Sequence, residues 1–306
     1  MDACIQVEHL CKSYQGNQVV KDISFQVYKG EIFAFLGPNG AGKSTTISIL
    51  STLLRKDSGT VNINNCILGR DDERIRSGIG IVFQNSVLDE LLSVKQNLIL
   101  RSALYHLPAK QAEQRVRKLC EICSLQDIML QPVGTLSGGQ RRRCDIARAL
   151  IPEPEILILD EPSTGLDPKA RKQLWDTITA LHKERQMSVF MTTHYMEEAE
   201  IADHLCIIKQ GTIVFDMPMK EVHKQYASEQ LLLYPNSRLQ LIDVLNKHRI
   251  FFHENNNAIC IQTGNMLKTM SVLHLCEHYI HRFENHPGNI EDIYLQMLQE
   301  ENECSR

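Results

Sequence analysis

Residues 37–45 read Gly-Pro-Asn-Gly-Ala-Gly-Lys-Ser-Thr, and this stretch decides the fold. It lies between an apolar run, Glu31–Leu36, and a helical pattern, Thr46–Leu54. A G-x-x-x-x-G-K-[ST] sequence between a strand and a helix is typical of a loop that binds phosphate groups. A chance glycine turn before a helix is the alternative, but here the motif and its context coincide. The chain is therefore predicted to contain an α/β phosphate-loop domain.

The residue types of this loop match the chemistry of a triphosphate. Gly37, Gly40 and Gly42 allow successive backbone N–H groups to turn inward and form a concave nest around phosphate oxygens. The following helix directs the positive end of its dipole at the same place. Lys43 supplies a full positive charge to the β- and γ-phosphates, and the Ser44 hydroxyl can bind Mg²⁺. The loop is therefore predicted to bind a triphosphate together with Mg²⁺.

The composition of the 306 residues is that of an ordinary globular protein, with 43% hydrophobic and 23% charged residues. A net charge of −4 argues weakly against nucleic acid or an anionic membrane surface as the main partner. The longest apolar stretches, Ile32–Leu36 and Ile156–Leu159, are far shorter than the ~20 residues that span a bilayer. The N-terminus shows no signal-peptide pattern and the ten cysteines follow no regular spacing, so reduced thiols in a cytosol are expected.

The pattern along the chain predicts two domains. Polar and apolar positions alternate over about the first 30 residues, which predicts antiparallel strands leading into the phosphate-loop strand. Helical spacing over about 85–150 predicts a helical insertion. The wholly apolar Ile156–Leu159 suits a central strand of a parallel sheet. These elements predict an α/β domain over 3–226, with an antiparallel β subdomain and a helical insertion, followed by a C-terminal accessory domain over 227–306.

Short strands and helices alternate in the accessory domain. The order β-α-β-β-α-β with a final helix predicts a small α+β domain with a ferredoxin-like fold. In this interpretation His274, His278 and His281 share one helix face, where a solvated polar surface is expected rather than a metal site. The predicted elements are strands at Glu229–Tyr234, Ile250–His253, Ala258–Gln262 and Arg282–Glu284, and helices at Ser237–Arg249, Asn265–Ile280 and Asn289–Gln299.

Two further motifs indicate chemistry. Asp160 and Glu161 end the apolar strand; a carboxylate next to the phosphate loop can bind Mg²⁺, which assigns Asp160, and Glu161 can orient or deprotonate an attacking water. Leu136–Gln140 reads Leu-Ser-Gly-Gly-Gln and opens a predicted helix at Arg141–Leu150, which offers a second anion-binding helix start. Two such sites per chain are explained if each nucleotide lies between two chains; a simple Ser-Gly helix cap is the alternative.

The phosphate loop, Leu136–Gln140 and the Asp160-Glu161 pair, in this order and spacing, resemble the ATP-binding subunit of an ABC transporter over about 3–226. The resemblance implies ATP hydrolysis, ATP and Mg²⁺ as cofactors, and a homodimer that encloses two nucleotides. It implies catalytic roles for Glu161, His194 and Gln84, and Mg²⁺ ligation by Ser44, Gln84 and Asp160. The nucleotide-binding residues that it implies are Tyr14, which would stack on adenine, and Gly37, Asn39, Gly40, Gly42, Lys43, Ser44, Thr45, Ser137, Gly139, Gln140 and Asp167.

Three segments are similar to the daunorubicin-resistance type of exporter ATPase: Glu31–Leu36, Thr192–Glu200 and Pro287–Tyr294. This resemblance implies a separate polytopic permease, export of a drug, lipid, polysaccharide or similar compound, and no nucleic-acid partner. It also implies a cytoplasmic position at the inner face of the cell membrane, with membrane contact only through the permease. Apolar residues after Gln84 are predicted to contact the permease, namely Val87, Leu88, Leu91 and Leu92.

Other functional classes stay open at this point. A soluble ABC ATPase could act in translation, DNA maintenance or iron–sulfur assembly without transport. A single phosphate loop argues against the translation type, and the lack of sustained heptads argues against the DNA-repair type. A regulatory nucleotide-binding protein whose C-terminal domain senses a ligand is a third possibility. The C-x-x-C sequence at Cys120 and Cys123 is expected to be a pair of buried helix thiols rather than a redox or zinc site.

Overall fold

A computed structural model of the chain describes residues 2–226, 230–255, 257–264 and 266–286. The chain divides into two compact units, Met1–Met217 and Pro218–Arg306. The phosphate loop and the other motifs of the predicted site all belong to the first unit. The helix predicted at Asn289–Gln299 lies outside the described residues.

The first unit begins with the predicted antiparallel sheet. The first two strands each turn apolar side chains into the core: every second residue from Ile23 to Val27 is buried, as are Ile5 and Val7 of the strand beside it. In their register Val7 lies opposite Phe25, and the sheet order is β2-β1-β4-β5. The four strands are β1 (Ala3–Tyr14), β2 (Asn17–Tyr28), β4 (Ser58–Ile63) and β5 (Cys66–Ile67).

A six-stranded sheet forms the centre of this unit and has the order β10-β9-β3-β8-β7-β6. Strand β3 pairs in parallel with β8 and β9, and β7 pairs in parallel with β6 and β8. All residues of β3, β7 and β8 are buried, and the apolar run Ile156–Leu159 of β7 is a central strand, as predicted. The strands are β3 (Ile32–Leu36), β6 (Ile79–Val82), β7 (Ile156–Asp160), β8 (Ser188–Thr193), β9 (His204–Lys209) and β10 (Thr212–Pro218).

Phenylalanine rings join the two sheets. The ring of Phe25 in β2 lies 5.6 Å from that of Phe33 in β3 and 5.9 Å from that of Phe190 in β8, measured between centroids. Such offset aromatic pairs contribute about 0.5–1.5 kcal/mol beyond the burial of their surface. The antiparallel sheet is thus held against the strand that precedes the phosphate loop.

Helices complete the first unit, and three of them form the predicted insertion. Of these three, α4 buries Ala112, Val116, Leu119 and Cys120 at helical spacing. Helix α5 begins at Gly138 rather than at the predicted Arg141, because Ser137 caps it. The helices are α1 (Lys43–Leu50), α2 (Asp72–Gly78), α3 (Val94–Ala103), α4 (Ala109–Ile122), α5 (Gly138–Ala149), α6 (Pro168–Arg185) and α7 (Met196–Ala199).

Length and polarity rule out a membrane-crossing role for every helix within the described ranges. The thiols of Cys120 and Cys123 are buried, as predicted. Burial raises the pKa of the Cys120 thiol to about 11 and that of Cys123 to about 12, which keeps both protonated near neutral pH. Within the same ranges no three His, Cys, Asp or Glu side chains are placed to hold a metal ion.

The second unit contains a four-stranded sheet with the order β12-β13-β11-β14, in which every neighbouring pair is antiparallel. Its core is formed by apolar side chains of the sheet and of two helices, including Leu231, Leu241 and Val272. The elements are α8 (Met219–Tyr226), β11 (Gln230–Pro235), α9 (Arg238–Lys247), β12 (His253–Asn255), β13 (Ala258–Gln262), α10 (Met266–Cys276) and β14 (Ile280–His286).

Two predicted elements of this unit are wrong in detail. The strand predicted at Ile250–His253 begins only at His253, because the Ile250 N–H is donated to the Leu245 carbonyl at the end of α9. The helix predicted at Asn265–Ile280 ends at Cys276 and is followed by a 3₁₀ turn at Glu277–Tyr279. His278 and His281 consequently do not share a helix face with His274, and the prediction of one histidine face is wrong.

Candidate functional site

The phosphate loop connects the buried end of β3 to the start of α1. Gly42 has φ 109°, a left-handed conformation that side chains disfavour. A Cβ atom on Gly37 would lie 2.4 Å from the Ile208 carbonyl oxygen, so only glycine fits against β9. These two glycines therefore set the path of the loop and aim the N-terminus of α1 at its concave side.

Lys43 is 4% exposed and has well-defined partners. Its ammonium donates to the carbonyls of Gly37 at 2.7 Å and Pro38 at 3.1 Å, and lies 3.2 Å from the Glu161 carboxylate. A buried charge is stable only when it is paired and hydrogen-bonded, and these contacts provide both. The two carbonyl contacts also keep the lysine ammonium against the backbone of the phosphate loop.

Asp160 lies at the carboxyl end of β7, next to the first turn of α1. Its Oδ1 accepts hydrogen bonds from the Thr192 hydroxyl at 2.8 Å and from the Ser44 hydroxyl at 3.3 Å. Burial raises the pKa of the Asp160 carboxyl, and these two hydrogen bonds oppose that shift. Thr192 was not predicted as part of the site, because its role depends on β8 lying beside β7.

Glu161 follows directly and is 7% exposed. Its φ of 44° is unusual for a residue with a side chain. Its backbone N–H donates a hydrogen bond to the Thr192 hydroxyl oxygen at 3.1 Å. Glu161 Oε2 lies 3.4 Å from Gln84 Nε2, 3.2 Å from Thr164 Oγ1 and 3.4 Å from His194 Nδ1. The three side chains predicted as catalytic therefore meet at one carboxylate oxygen.

A cavity of 280 Å³ opens over the phosphate loop. Val19 is the one lining residue that the sequence did not indicate. The cavity is lined by Val19, Asn39, Gly40, Gly42, Lys43, Ser44, Thr45, Gln84 and Glu161.

The remaining predicted nucleotide-binding residues do not line this cavity. Ser137 caps α5 in a reciprocal capping box with Gln140, and both Ser137 and Gly138 are exposed. Asp167 is also exposed and caps α6 by accepting the Ala170 N–H at 2.9 Å. Tyr14, at the end of β1, is 45% exposed. One chain thus presents a phosphate loop and, elsewhere on its surface, a second, exposed helix start.

Arg142 was not predicted from the sequence as part of the site, yet it fixes the backbone segments that carry two of the site residues. This buried guanidinium donates to the carbonyls of Phe83 and Pro162 at 2.5 Å each. It also donates to the carbonyls of Glu161 at 3.0 Å and Gln84 at 3.3 Å. One side chain of α5 therefore fixes the backbone at both Gln84 and Glu161.

Replacing Arg142 with Ala is expected to destabilise the fold by about 3 kcal/mol, because it leaves several buried carbonyls without a donor. Arg141→Ala is the matched control, since the exposed pair that Arg141 forms with Glu90 contributes at most about 1 kcal/mol. Urea unfolding of the two variants measures the difference. Equal losses would contradict the role given to Arg142.

Residues 20–164 match the ABC transporter family. Linearmycin resistance ATP-binding protein LnrL of Bacillus subtilis is 40% identical over 211 residues, which cover 69% of this chain and 68% of that protein. Nod factor export ATP-binding protein I of Burkholderia orbicola is 34% identical over 307 residues, which cover 98% of this chain and 98% of that protein.

Solved structures show the same fold. The cbiO1 protein of Clostridium perfringens, part of the ABC transporter complex cbiONQ, aligns with a TM-score of 0.68 and 30% identity over 74% of this chain and 92% of its own. The dimeric structure of MJ0796, a bacterial ABC transporter cassette, aligns with a TM-score of 0.65 and 27% identity over 70% of this chain and 98% of its own.

The family and the fold agree on the activity. The strand, phosphate loop and helix are those of a phosphate-loop ATPase, and the export and drug-resistance relatives are ATP-binding proteins. The chain belongs to the ATP-binding subunits of ABC transporters, which hydrolyse ATP to power a membrane permease.

Proposed function

We propose that two copies of this chain enclose two ATP molecules, each held between the phosphate loop of one copy and Ser137, Gly139 and Gln140 of the other. One observation carries this proposal: the exposed helix start at Ser137 does not line the cavity over the phosphate loop. The N-terminus of a helix favours an anion, and a second chain would bring one to it. The dimeric cassette among the solved relatives supports the pairing of two chains.

In this proposal each residue of the site acts on ATP in a defined way. Lys43 exchanges its carbonyl partners for the β- and γ-phosphates, and the backbone of the loop, with Asn39 and Thr45, surrounds them. Glu161 orients and deprotonates the attacking water. His194 contacts the γ-phosphate, and Gln84 orients the same water. Tyr14 stacks on adenine, and Asp167 lies near the dimer axis and senses the other site.

The residues around Asp160 fit a magnesium ion. A carboxylate and a hydroxyl oxygen already lie 3.3 Å apart, at Asp160 Oδ1 and Ser44 Oγ, and Gln84, which lines the same cavity as Ser44, carries an amide oxygen. Hard oxygen donors of this kind are the ligands that Mg²⁺ prefers. When bound, the ion would neutralise charge on the phosphates.

The permease contact is proposed on the apolar surface beyond Gln84. Val87 and Leu91 are 55% and 89% exposed, whereas Leu88 is only 9% exposed and cannot contribute surface as predicted. Val87 also lines a 660 Å³ groove that continues to Leu104 and Tyr105 in the helical insertion. Because Gln84 contacts Glu161, movement in this region would pass directly to the site. Bound to the permease in this way, the chain would lie peripherally at the inner face of the cell membrane.

Val87→Asp combined with Leu104→Asp is expected to release the chain from membranes while leaving its basal ATP hydrolysis intact, because both side chains are exposed and lie outside the site. Sedimentation of tagged chain with membranes of the producing cells measures this. Leu130→Asp is the control, since Leu130 is 81% exposed and does not line the groove. Unchanged membrane association of the double variant would contradict the assigned contact.

The cargo is proposed to be a drug, lipid, polysaccharide or similar compound that leaves the cell. The names of the relatives support export, since they refer to linearmycin resistance, daunorubicin resistance and Nod factor export. For the C-terminal domain, over 227–306, we propose a ferredoxin-like fold. The antiparallel strand order β12-β13-β11-β14 and the helix that follows β11 support it.

A further inference from the structure

Glu198 is a buried acid for which the proposed mechanism has no use. It lies in α7, four residues after His194, and is 2% exposed. Its carboxylate accepts hydrogen bonds from the Thr193 hydroxyl, at 2.7 Å, and from the Ser163 hydroxyl. A carboxylate removed from water is costly unless its oxygens are paired, so these donors explain how it is accommodated.

The two hydroxyls belong to different loops of the site. Ser163 lies two residues after Glu161 and begins the segment that leads to Asp167. Thr193 directly precedes His194, and its Oγ1 also accepts the Tyr195 N–H at 2.9 Å. The backbone on both sides of His194 is therefore anchored to one threonine, and that threonine is anchored to Glu198.

Arg171 connects this acid to the histidine ring by a second route. Its Nε lies 3.9 Å from the Glu198 carboxylate, and its guanidinium lies 4.7 Å from the centroid of the Tyr195 ring. The Tyr195 ring in turn lies 3.9 Å from the His194 ring, between centroids. Arg171 is in the first turn of α6, the helix that Asp167 caps. The histidine is thus held through its backbone and through its ring.

We propose that Glu198 is a positioning residue for ATP hydrolysis. It fixes the loop of His194 against the segment that begins at Ser163, and so sets the position of the His194 ring beside Glu161. The inference rests on the proposed roles of His194 and Glu161. The placement of His194 relative to Glu161 would thus depend on one buried carboxylate, that of Glu198, which lies outside the predicted nucleotide-binding residues.

Glu198→Ala is expected to lower kcat about 100-fold, as small displacements of catalytic groups do, while ATP binding is retained. Glu198→Gln should recover a large part of the rate, because an amide of the same shape can still bond both hydroxyls. Glu197→Ala is the matched control: Glu197 precedes Glu198, its side chain is 86% exposed, and it lies 3.7 Å from the same arginine. It should hydrolyse ATP at the wild-type rate.

A double-mutant cycle with His194→Ala separates positioning from general stability. If Glu198 acts through His194, adding Glu198→Ala to His194→Ala should cause little further loss of kcat. Multiplicative losses, or a Glu198→Ala rate equal to that of Glu197→Ala, would overturn the inference. Where Glu198→Ala does not fold, Thr193→Val and Ser163→Ala each remove one of its two donors and enter the same cycle.

The same measurements show which assignment fails. If His194→Ala hydrolyses ATP as fast as the wild type, the proposed role of His194 fails and the inference on Glu198 fails with it. If His194→Ala is impaired but Glu198→Ala is not, only the inference on Glu198 fails.

Discussion

Glu161→Gln is expected to bind ATP with wild-type affinity and to hydrolyse it at least ~100-fold more slowly, the typical loss when a general base is removed. Glutamine keeps the shape of the side chain and still contacts Gln84, Thr164 and His194, so the site should stay assembled. What it loses is the ability to take a proton from water. Steady-state phosphate release and equilibrium ATP binding, measured on the same preparation, test both parts.

Glu153→Gln is a suitable control for this substitution. Glu153 forms an exposed ion pair with Arg115 and takes no part in the site, so its loss should leave turnover unchanged. If the Glu161 variant hydrolysed ATP at a near wild-type rate, another group would have to activate the water, and the role assigned to Glu161 would be wrong.

Lys43→Ala is expected to act on binding rather than on chemistry. The variant removes the full positive charge that the loop offers to the phosphates and leaves the Glu161 carboxylate without its cation 3.2 Å away. Charged hydrogen bonds of this kind contribute about 1.5–3 kcal/mol, so ATP affinity should fall by roughly 10–100-fold. Titration calorimetry with ATP and Mg²⁺ measures the change.

Lys29→Ala removes an exposed lysine from the turn before β3 and serves as the charge-matched control. It should bind ATP normally. Wild-type affinity in the Lys43 variant, with a defect confined to kcat, would show that the lysine acts in the hydrolysis step alone and would contradict its assignment as a main phosphate ligand.

Sequence alone predicted the local parts of the site well. The order of strand, glycine-rich turn and helix around Lys43 and Ser44 follows from residue types at short spacing. The expectation that Asp160 ends a central parallel strand also holds, and for parallel strands this places its carboxylate at the same sheet edge as the loop. Gln84 and Glu161, far apart in the chain, lie in one cavity with the loop.

The contacts that support the site could not be predicted from the sequence, for a physical reason. Arg142 and Glu198 act through carbonyls and hydroxyls that become neighbours only after the strands and helices pack, and any backbone carbonyl can serve as such a partner. Nothing in the residue types around them marks these pairings. In the second unit, β12 is too short to show a strong period, which is why its start was predicted wrongly, and the 3₁₀ turn after α10 continues a helix-like pattern beyond the end of the helix.

The mass of Glu161→Gln protein in solution, measured by light scattering with ATP and Mg²⁺, tests most directly whether two copies close around the nucleotide. A dimer should form with ATP and revert to monomer with ADP. Adding Ser137→Arg, at an exposed position where loss of the cap costs only about 1 kcal/mol, should prevent it. A particle that stays monomeric in saturating ATP and Mg²⁺, or a dimer indifferent to Ser137→Arg, would contradict the account.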